Sequence, residues 1–269
     1  MPLAKRLALA AALLAGLGLL AAAAALASAG WRIAGAALAA GTIAAALAAL
    51  QALWAQFDLT GRSLRRGPGG SRLVALTFDD GPSEDTPAVL DALDRAGVRA
   101  TFFVLGDAVL RRPALVAEAV RRGHEVALHG QTHAKLVLAG PRRVADELDR
   151  CAAAIRAAGV DPAPLFRAPH GFSGPFVAPA LRRRALRLVA WTRGVFDTER
   201  PGAAAIAARA CRRMREGEIL LLHDGCGTPG IDPRRDQTAA AVPEIVRRWR
   251  DSGFTFVTVG ELARGERRG

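Results

Sequence analysis

Two short stretches concentrate side chains that could do chemistry. In Thr77-Phe78-Asp79-Asp80-Gly81-Pro82 two carboxylates stand side by side after an apolar run, and in His129-Gly130-Gln131-Thr132-His133 two imidazoles stand four residues apart. Taken alone, each has an ordinary structural explanation: acids before Gly-Pro serve turns and helix caps, and many histidine pairs bind nothing. Together they say more. An i, i+4 pair predicts two imidazoles on one face of a helical turn, the spacing that grips a single metal ion. Two imidazoles and one carboxylate make a three-ligand set that leaves coordination positions for water and substrate, as in catalytic zinc centres. The second carboxylate is then available for proton transfer. His124 has no partner at such spacing and reads as structural. Cys151, Cys211 and Cys226 stand apart from one another and read as buried or idle thiols.

The elements that must position these residues are legible from residue 72 onward. The pattern predicts strands at Leu73–Phe78, Thr101–Leu105, Glu125–Leu128, Leu165–Arg167, Leu186–Trp191, Ile219–Leu222 and Thr255–Val259. It predicts helices at Thr86–Ala96, Ala114–Arg122, Pro141–Ala158, Pro175–Arg184, Gly202–Arg215 and Thr238–Ser252, several opening on Pro, Asp or Thr and stopping at Gly. Strand–helix alternation at this spacing predicts an α/β fold with a parallel sheet, either open or closed into a barrel. In such folds active sites gather at the C-terminal strand ends. Asp79, Asp80, His129, Arg167, Asp197 and His223 all fall at those ends, which is an independent reason to take them as one site. No internal repeat suggests a solenoid.

The first 57 residues differ in composition from the rest. Leu7 to Gly30 and Ile33 to Phe57 are uncharged runs separated by Trp31-Arg32, each longer than the ~20 residues that span a hydrocarbon core. Residues 1–57 are therefore expected to be a membrane anchor of one or two transmembrane helices, 58–70 a linker and 71–264 the catalytic domain. Lys5, Arg6 and Ala27-Ser28-Ala29 also give the first run the form of a signal peptide. The arginines Arg62, Arg65 and Arg66 favour the cytoplasmic side if both runs span. A single span, or cleavage of the first run, puts the domain outside the inner cell membrane, and the extracytoplasmic placement is the expectation. The net charge of +12 is inflated by this segment; beyond residue 67, 31 basic residues face 24 acidic ones. Runs such as Arg182–Arg184 read as solvated helix faces. Without aromatic-interleaved basic stretches, no nucleic-acid partner is expected.

In order along the chain, TFDDG at 77–81, HGQTH at 129–133, RAPHG at 167–171, WTRGVFDT at 191–198 and LLH at 221–223 resemble the five sequence blocks of the NodB-homology polysaccharide deacetylases, family 4 of the carbohydrate esterases. The resemblance spans essentially all of the chain after the linker. It implies a distorted (β/α) barrel of the NodB-homology type, preceded here by the N-terminal transmembrane helices. It implies that Asp80, His129 and His133 hold a divalent metal, Zn2+ first, with Co2+ or Ni2+ as substitutes. Asp79 is then the general base, Arg167 orients it, His223 is the general acid and Asp197 orients that acid. Leu221 walls the pocket for the acetyl methyl group, and the backbone amide near His170 stabilises the oxyanion. Physical needs agree with this division: amide hydrolysis requires an activated water, positive charge beside the oxyanion and a proton for the leaving amine.

The chain departs from the family at named positions. Gly130 replaces the usual Ser or Thr, whose hydroxyl supports the metal loop. Ala168 and His170 replace a Pro and the Tyr of the third block, so His170 becomes a residue that lines the substrate cleft or adds a ligand. Phe196-Asp197-Thr198 replaces the Asp-Trp of the fourth block, and Trp191 can pack against the acid or a sugar ring. The implied partners are the lipid bilayer and an N-acetylated glycan: peptidoglycan, an exopolysaccharide or a chitin-like oligomer, with O-deacetylation also compatible. Two other readings stay open at this level: an amidase or esterase acting on a non-sugar acyl substrate, and an inactive glycan-binding membrane protein.

Overall fold

The computed structural model describes residues 36–44, 63–70, 72–228 and 230–265, together with Gly16 and Gly18. The chain divides into two compact units, residues 1–53 and 54–269. In the first, residues 36–44 are helical. The two apolar runs read as membrane-spanning lie mostly outside the described residues, and among the described residues no helix is long and apolar enough to cross a membrane.

The described residues of the second unit form a parallel sheet of nine strands: β1 (Ser63–Leu64), β2 (Leu73–Asp79), β3 (Thr101–Val104), β4 (Glu125–Leu128), β5 (Leu165–Phe166), β6 (Arg187–Val189), β7 (Arg193–Gly194), β8 (Glu218–His223) and β9 (Thr255–Phe256). The order is β1-β6-β5-β4-β3-β2-β8-β7, with β9 also pairing β2. Among the described residues the path does not close on itself, so the sheet is a curled, incomplete barrel. β1 lies within the stretch 58–70 that reads as linker in the sequence; its Leu64 is buried and pairs with Val189.

Among the described residues, eight α-helices accompany the sheet: α1 (Thr86–Ala96), α2 (Gly106–Arg111), α3 (Pro113–Arg121), α4 (Pro141–Ala157), α5 (Val177–Arg183), α6 (Ala203–Ala210), α7 (Asp236–Asp251) and α8 (Val259–Arg264). α2 is too short to show periodicity and was not expected. The strand expected at Thr255–Val259 stops at Phe256, because the chain turns into α8. A capping box forces that turn: the Thr258 side chain accepts from the Glu261 amide, and the Glu261 side chain accepts from the Thr258 amide. The helix expected at Gly202–Arg215 ends at Ala210; Arg213 has φ +52°, outside helical geometry.

Strand side chains alternate between faces with a period of two, and this sorts the core into two layers. Val74, Leu76 and Phe78 of β2, Phe102 of β3, Val126 of β4 and Leu220 of β8 point outward to the helices and join the larger cluster with Leu90, Ile245 and Trp249. Leu73, Ala75, Phe103, Ala127, Leu165, Val189 and Ile219 point inward and form a separate inner cluster. Every inner residue named is odd-numbered. Continuing the alternation to the C-terminal strand ends brings Thr77, Asp79, His129, Arg167, Trp191, Leu221 and His223 onto the same inner face. The apolar inner layer is thus a floor, and the chemistry-bearing residues stand on it.

Candidate active site

The carboxylates come first. Asp79 ends β2 and is buried. Asp80 follows with φ +76°, so the backbone reverses and its side chain also turns into the site. The helical turn expected for His129–His133 does not form. The segment is an open loop in which Gly130 has φ +90° and His133 φ +61°. Gly130 favours such a conformation because it has no Cβ, and this bend, not helical spacing, brings the two rings together. With His170 at φ +59°, three non-glycine site residues hold left-handed conformations, each costing on the order of 1–3 kcal/mol and tolerated where surrounding packing enforces them.

The result is a compact donor set. Asp80 Oδ1 lies 3.3 Å from His129 Nε2 and 3.1 Å from His133 Nε2, and the three ligand atoms lie within 4.8 Å of one another. His129 Nδ1 is 2.8 Å from the Arg167 carbonyl oxygen. A carbonyl only accepts, so Nδ1 carries the hydrogen and Nε2 presents a lone pair to the centre. Burial pushes the His133 imidazole down to about 3, keeping it neutral. Burial alone would raise the Asp80 carboxyl, but the imidazoles of His129 and His133 outweigh this and hold it well below the usual carboxylate range. Asp80 Oδ1 is buried without a hydrogen-bond donor. Converging lone pairs around a buried, unsatisfied carboxylate oxygen fit a divalent cation and fit little else.

Around this set stand two charged pairs. Arg167, fully buried, donates from Nη1 to Asp79 Oδ1 and to Thr77 Oγ1 at 2.7 Å each, and from Nη2 to the Ala190 carbonyl at 3.1 Å. Its guanidinium lies 4.0 Å from the Phe103 ring centre and 5.7 Å from that of Trp191, contacts that suit a desolvated cation. On the neighbouring strand, His223 Nδ1 is 2.8 Å from Asp197 Oδ1, while Asp197 Oδ2 accepts from the His223 amide and from Thr238 Oγ1. Burial works to lower the His223 imidazole, yet Asp197 beside it overrides burial and raises it to about 9. β2 and β8 pair in register with Asp79 opposite His223, so the two pairs face the donor set from adjacent strands.

The remaining expected residues divide. Leu221, buried, stands on the inner face two residues before His223. Trp191 is partly buried and packs on the inner apolar cluster, a core contact as much as a cleft contact. The His170 ring packs against that of His133, tilted by 45° with centres 4.2 Å apart, but is not among the converging ligand atoms. His124 is buried, with Nδ1 accepting from the Ala100 amide, and is remote in role from the site. Cys151 is buried, and Cys211 and Cys226 are free thiols.

Three contributors escaped sequence reasoning. Glu147 of α4 reaches the loop between the two histidines. Its signal was its position on the apolar face of that helix, with Val144, Leu148 and Cys151. Asp224 follows β8, and burial pushes its carboxyl up to about 7 against the opposing Thr86 hydrogen bond. Gly227 lies against His133 so closely that a Cβ there would sit 2.4 Å from the ring.

A polysaccharide deacetylase family model matches residues 66–189. The chitooligosaccharide deacetylase of Sinorhizobium fredii is 38% identical over 199 residues, covering 72% of this chain and 93% of the relative. The peptidoglycan-N-acetylglucosamine deacetylase of Bacillus cereus is 32% identical over 212 residues, covering 78% and 96%. Among solved structures, a family 4 carbohydrate esterase from Streptomyces lividans, in complex with acetate, superposes with a TM-score of 0.62 at 32% identity, over 68% of this chain and 91% of that one. With a converging His/His/Asp donor set on a curled parallel barrel and relatives aligned over nearly their whole length, the chain belongs to the polysaccharide deacetylase family of hydrolases.

Proposed function

We propose that this chain removes N-acetyl groups from N-acetylglucosamine units of a polysaccharide or oligosaccharide. The observation that carries the reading is the facing of the Asp80–His129–His133 donor set by Arg167–Asp79 on one side and Asp197–His223 on the other. The two sugar-deacetylating relatives support N-acetylglucosamine as the substrate class. Zinc is the proposed ion, because two imidazoles and one carboxylate with open positions match its catalytic centres.

A divalent cation held by Asp80, His129 and His133 would supply Lewis acidity, lowering the pKa of a coordinated water and drawing charge from the acyl oxygen. The chain's own residues do the rest. Asp79, held by Arg167, accepts the proton of the attacking water. The His170 amide is the proposed donor to the developing oxyanion, since the next two amides, of Gly171 and Phe172, already bond to Ala168 and Pro169 carbonyls. Leu221 forms the apolar wall against the acetyl methyl, and Trp191 flanks it. His223, kept as imidazolium by Asp197, delivers a proton to the departing amine.

Residues 1–57 are proposed as an anchor in the inner membrane, with the catalytic domain on the extracytoplasmic side; within the stretch 58–70, Ser63–Leu64 already belong to that domain as β1. The support is the two uncharged runs Leu7–Gly30 and Ile33–Phe57. Acetate release from N-acetylglucosamine oligomers by the full chain in detergent tests the reaction: it should vanish with chelator and return with zinc. Release that survives exhaustive chelation overturns the metal-dependent mechanism. A reporter fused after Gly269, active in only one compartment, tests the topology.

A further inference from the structure

The loop that carries both histidine ligands departs from regular structure, so its backbone polar groups need partners elsewhere. On one side its carbonyls bind the start of α2: the Gly130 oxygen accepts from the Gly106 amide and the Gln131 oxygen from the Asp107 amide, both at 3.0 Å. The Gln131 side chain adds a bond to Asp107 Oδ1 at 2.6 Å. On the other side, the Gln131 and Thr132 amides and the Thr132 hydroxyl converge on one carboxylate. Glu147 Oε2 accepts from the Gln131 amide at 2.8 Å and the Thr132 amide at 2.9 Å, and Oε1 accepts from Thr132 Oγ1 at 2.7 Å. Arg143, one turn earlier on α4, donates to Oε1 at 2.8 Å and to the same threonine hydroxyl at 3.1 Å. Glu147 is 2% exposed, so these bonds are made out of water, where a carboxylate holding several donors is strongly orienting.

Gly130 explains why this grip is needed. The position has no hydroxyl to brace the loop, and its φ of +90° favours the residue with the widest backbone freedom. A Cβ built there would stand 3.2 Å from Glu147 Oε2, so the missing side chain and the carboxylate share one space. We propose that Glu147 is the positioning residue of the metal loop: by clamping the Gln131 and Thr132 amides it fixes the separation of His129 and His133, and so sets the affinity for the ion. The inference rests on the reading that these histidines and Asp80 hold a metal.

The test compares the full chain, stripped of metal, with Glu147→Ala and Glu147→Gln. Zinc affinity is measured by competition with a chromophoric chelator, and amide hydrogen exchange is followed across residues 129–133 and α4. Glu147→Ala should weaken zinc binding ~10–100-fold, the range for lost partners behind metal ligands, with faster exchange at Gln131 and Thr132 and unchanged exchange in α4. Glu147→Gln keeps an oxygen for the two amides and should recover affinity to within ~3-fold. The cobalt-loaded wild type and Glu147→Ala should differ in their visible absorption bands, a signature that mere loss of stability does not move. Should Glu147→Ala fail to fold, Thr132→Val removes one arm of the clamp, and a several-fold loss of affinity is expected. A folded Glu147→Ala chain, or a Thr132→Val chain, that binds zinc like wild type overturns the clamp while leaving the metal site standing. Wild type that binds no zinc overturns the metal reading, and this proposal with it.

Discussion

Asp197→Asn isolates the electrostatics of the proposed acid, because it keeps the shape of the side chain and removes its charge. His223 is one-fifth exposed and Asp197 is buried, so the pair acts with little solvent screening. Burial alone lowers the imidazole, and Asp197 is the largest influence raising it from 6.5 to about 9. Without that carboxylate the acid should titrate at or below 6.5. At pH 8 its protonated fraction then falls from roughly nine-tenths to a few hundredths, so kcat should drop ~30-fold. The loss should shrink steadily toward pH 6, because the variant retains an acid that has merely shifted. The assay is acetate release at saturating oligosaccharide from pH 5.5 to 9.5. The stability argument has a defined sign. A group raised in the folded state stabilises it below its unfolded pKa of about 6.5, and that contribution is lost as pH climbs through about 9. The variant should therefore lose stability near neutrality and show a flatter alkaline decline. An alkaline activity limb that sits at the same pH in both proteins, or a loss uniform across the range, refutes the assignment of that limb to His223.

Other outcomes follow from the same geometry. Arg167→Met leaves Asp79 buried without its partner and should cost about 3–5 kcal/mol in urea unfolding, along with activity. His124 is held down at about 4 by burial. Its stabilising effect is present above about 6.5 and lost as pH falls through 4, amounting to about 3 kcal/mol; His124→Gln should flatten the acid limb of stability measured by urea titration at several pH values. Trp249, fully buried between α7 and its neighbours with its indole donating to the Ala210 carbonyl, should cost about 3–5 kcal/mol as Trp249→Ala, read as a lowered Tm with zinc affinity of the folded chain unchanged.

What could be read from sequence was whatever depends on local pattern. Thr86–Ala96 matches α1 to the residue, since Pro87 at its start and Gly97 at its end are local signals. The apolar run Leu73–Phe78 was equally local and put Asp79 at a strand end; which of its alternate side chains face inward was not legible, because residues of both parities are buried. The HGQTH stretch shows the opposite case. Its spacing predicts a helical turn, but the backbone is bent by Gly130 and held by Glu147, a contact between a loop and a following helix that no local spacing encodes. The missed α8 was legible after all: Thr258 and Glu261 have the spacing of a capping box, overridden in reading by the β-branched run before them. Asp197 and His223 each sat at a strand end, but only the fold could set them 2.8 Å apart.

The central strand has a further consequence, for synthesis. β2 carries Asp79 and is flanked by β3 on one side and β8 on the other, with Val74 paired to Glu218 and Asp79 to His223. Those β8 partners lie more than 140 residues downstream of β2. At ribosomal rates of roughly 5–20 residues per second, the emerging chain waits on the order of ten seconds or more with one edge of its longest apolar strand unpaired. During that interval the edge is a template for pairing with another chain, so aggregation should be most readily nucleated before β8 has emerged. A chain terminated before Glu218 never acquires the β8 partner for that edge. Such fragments should accumulate as aggregates, not as weakly active enzyme.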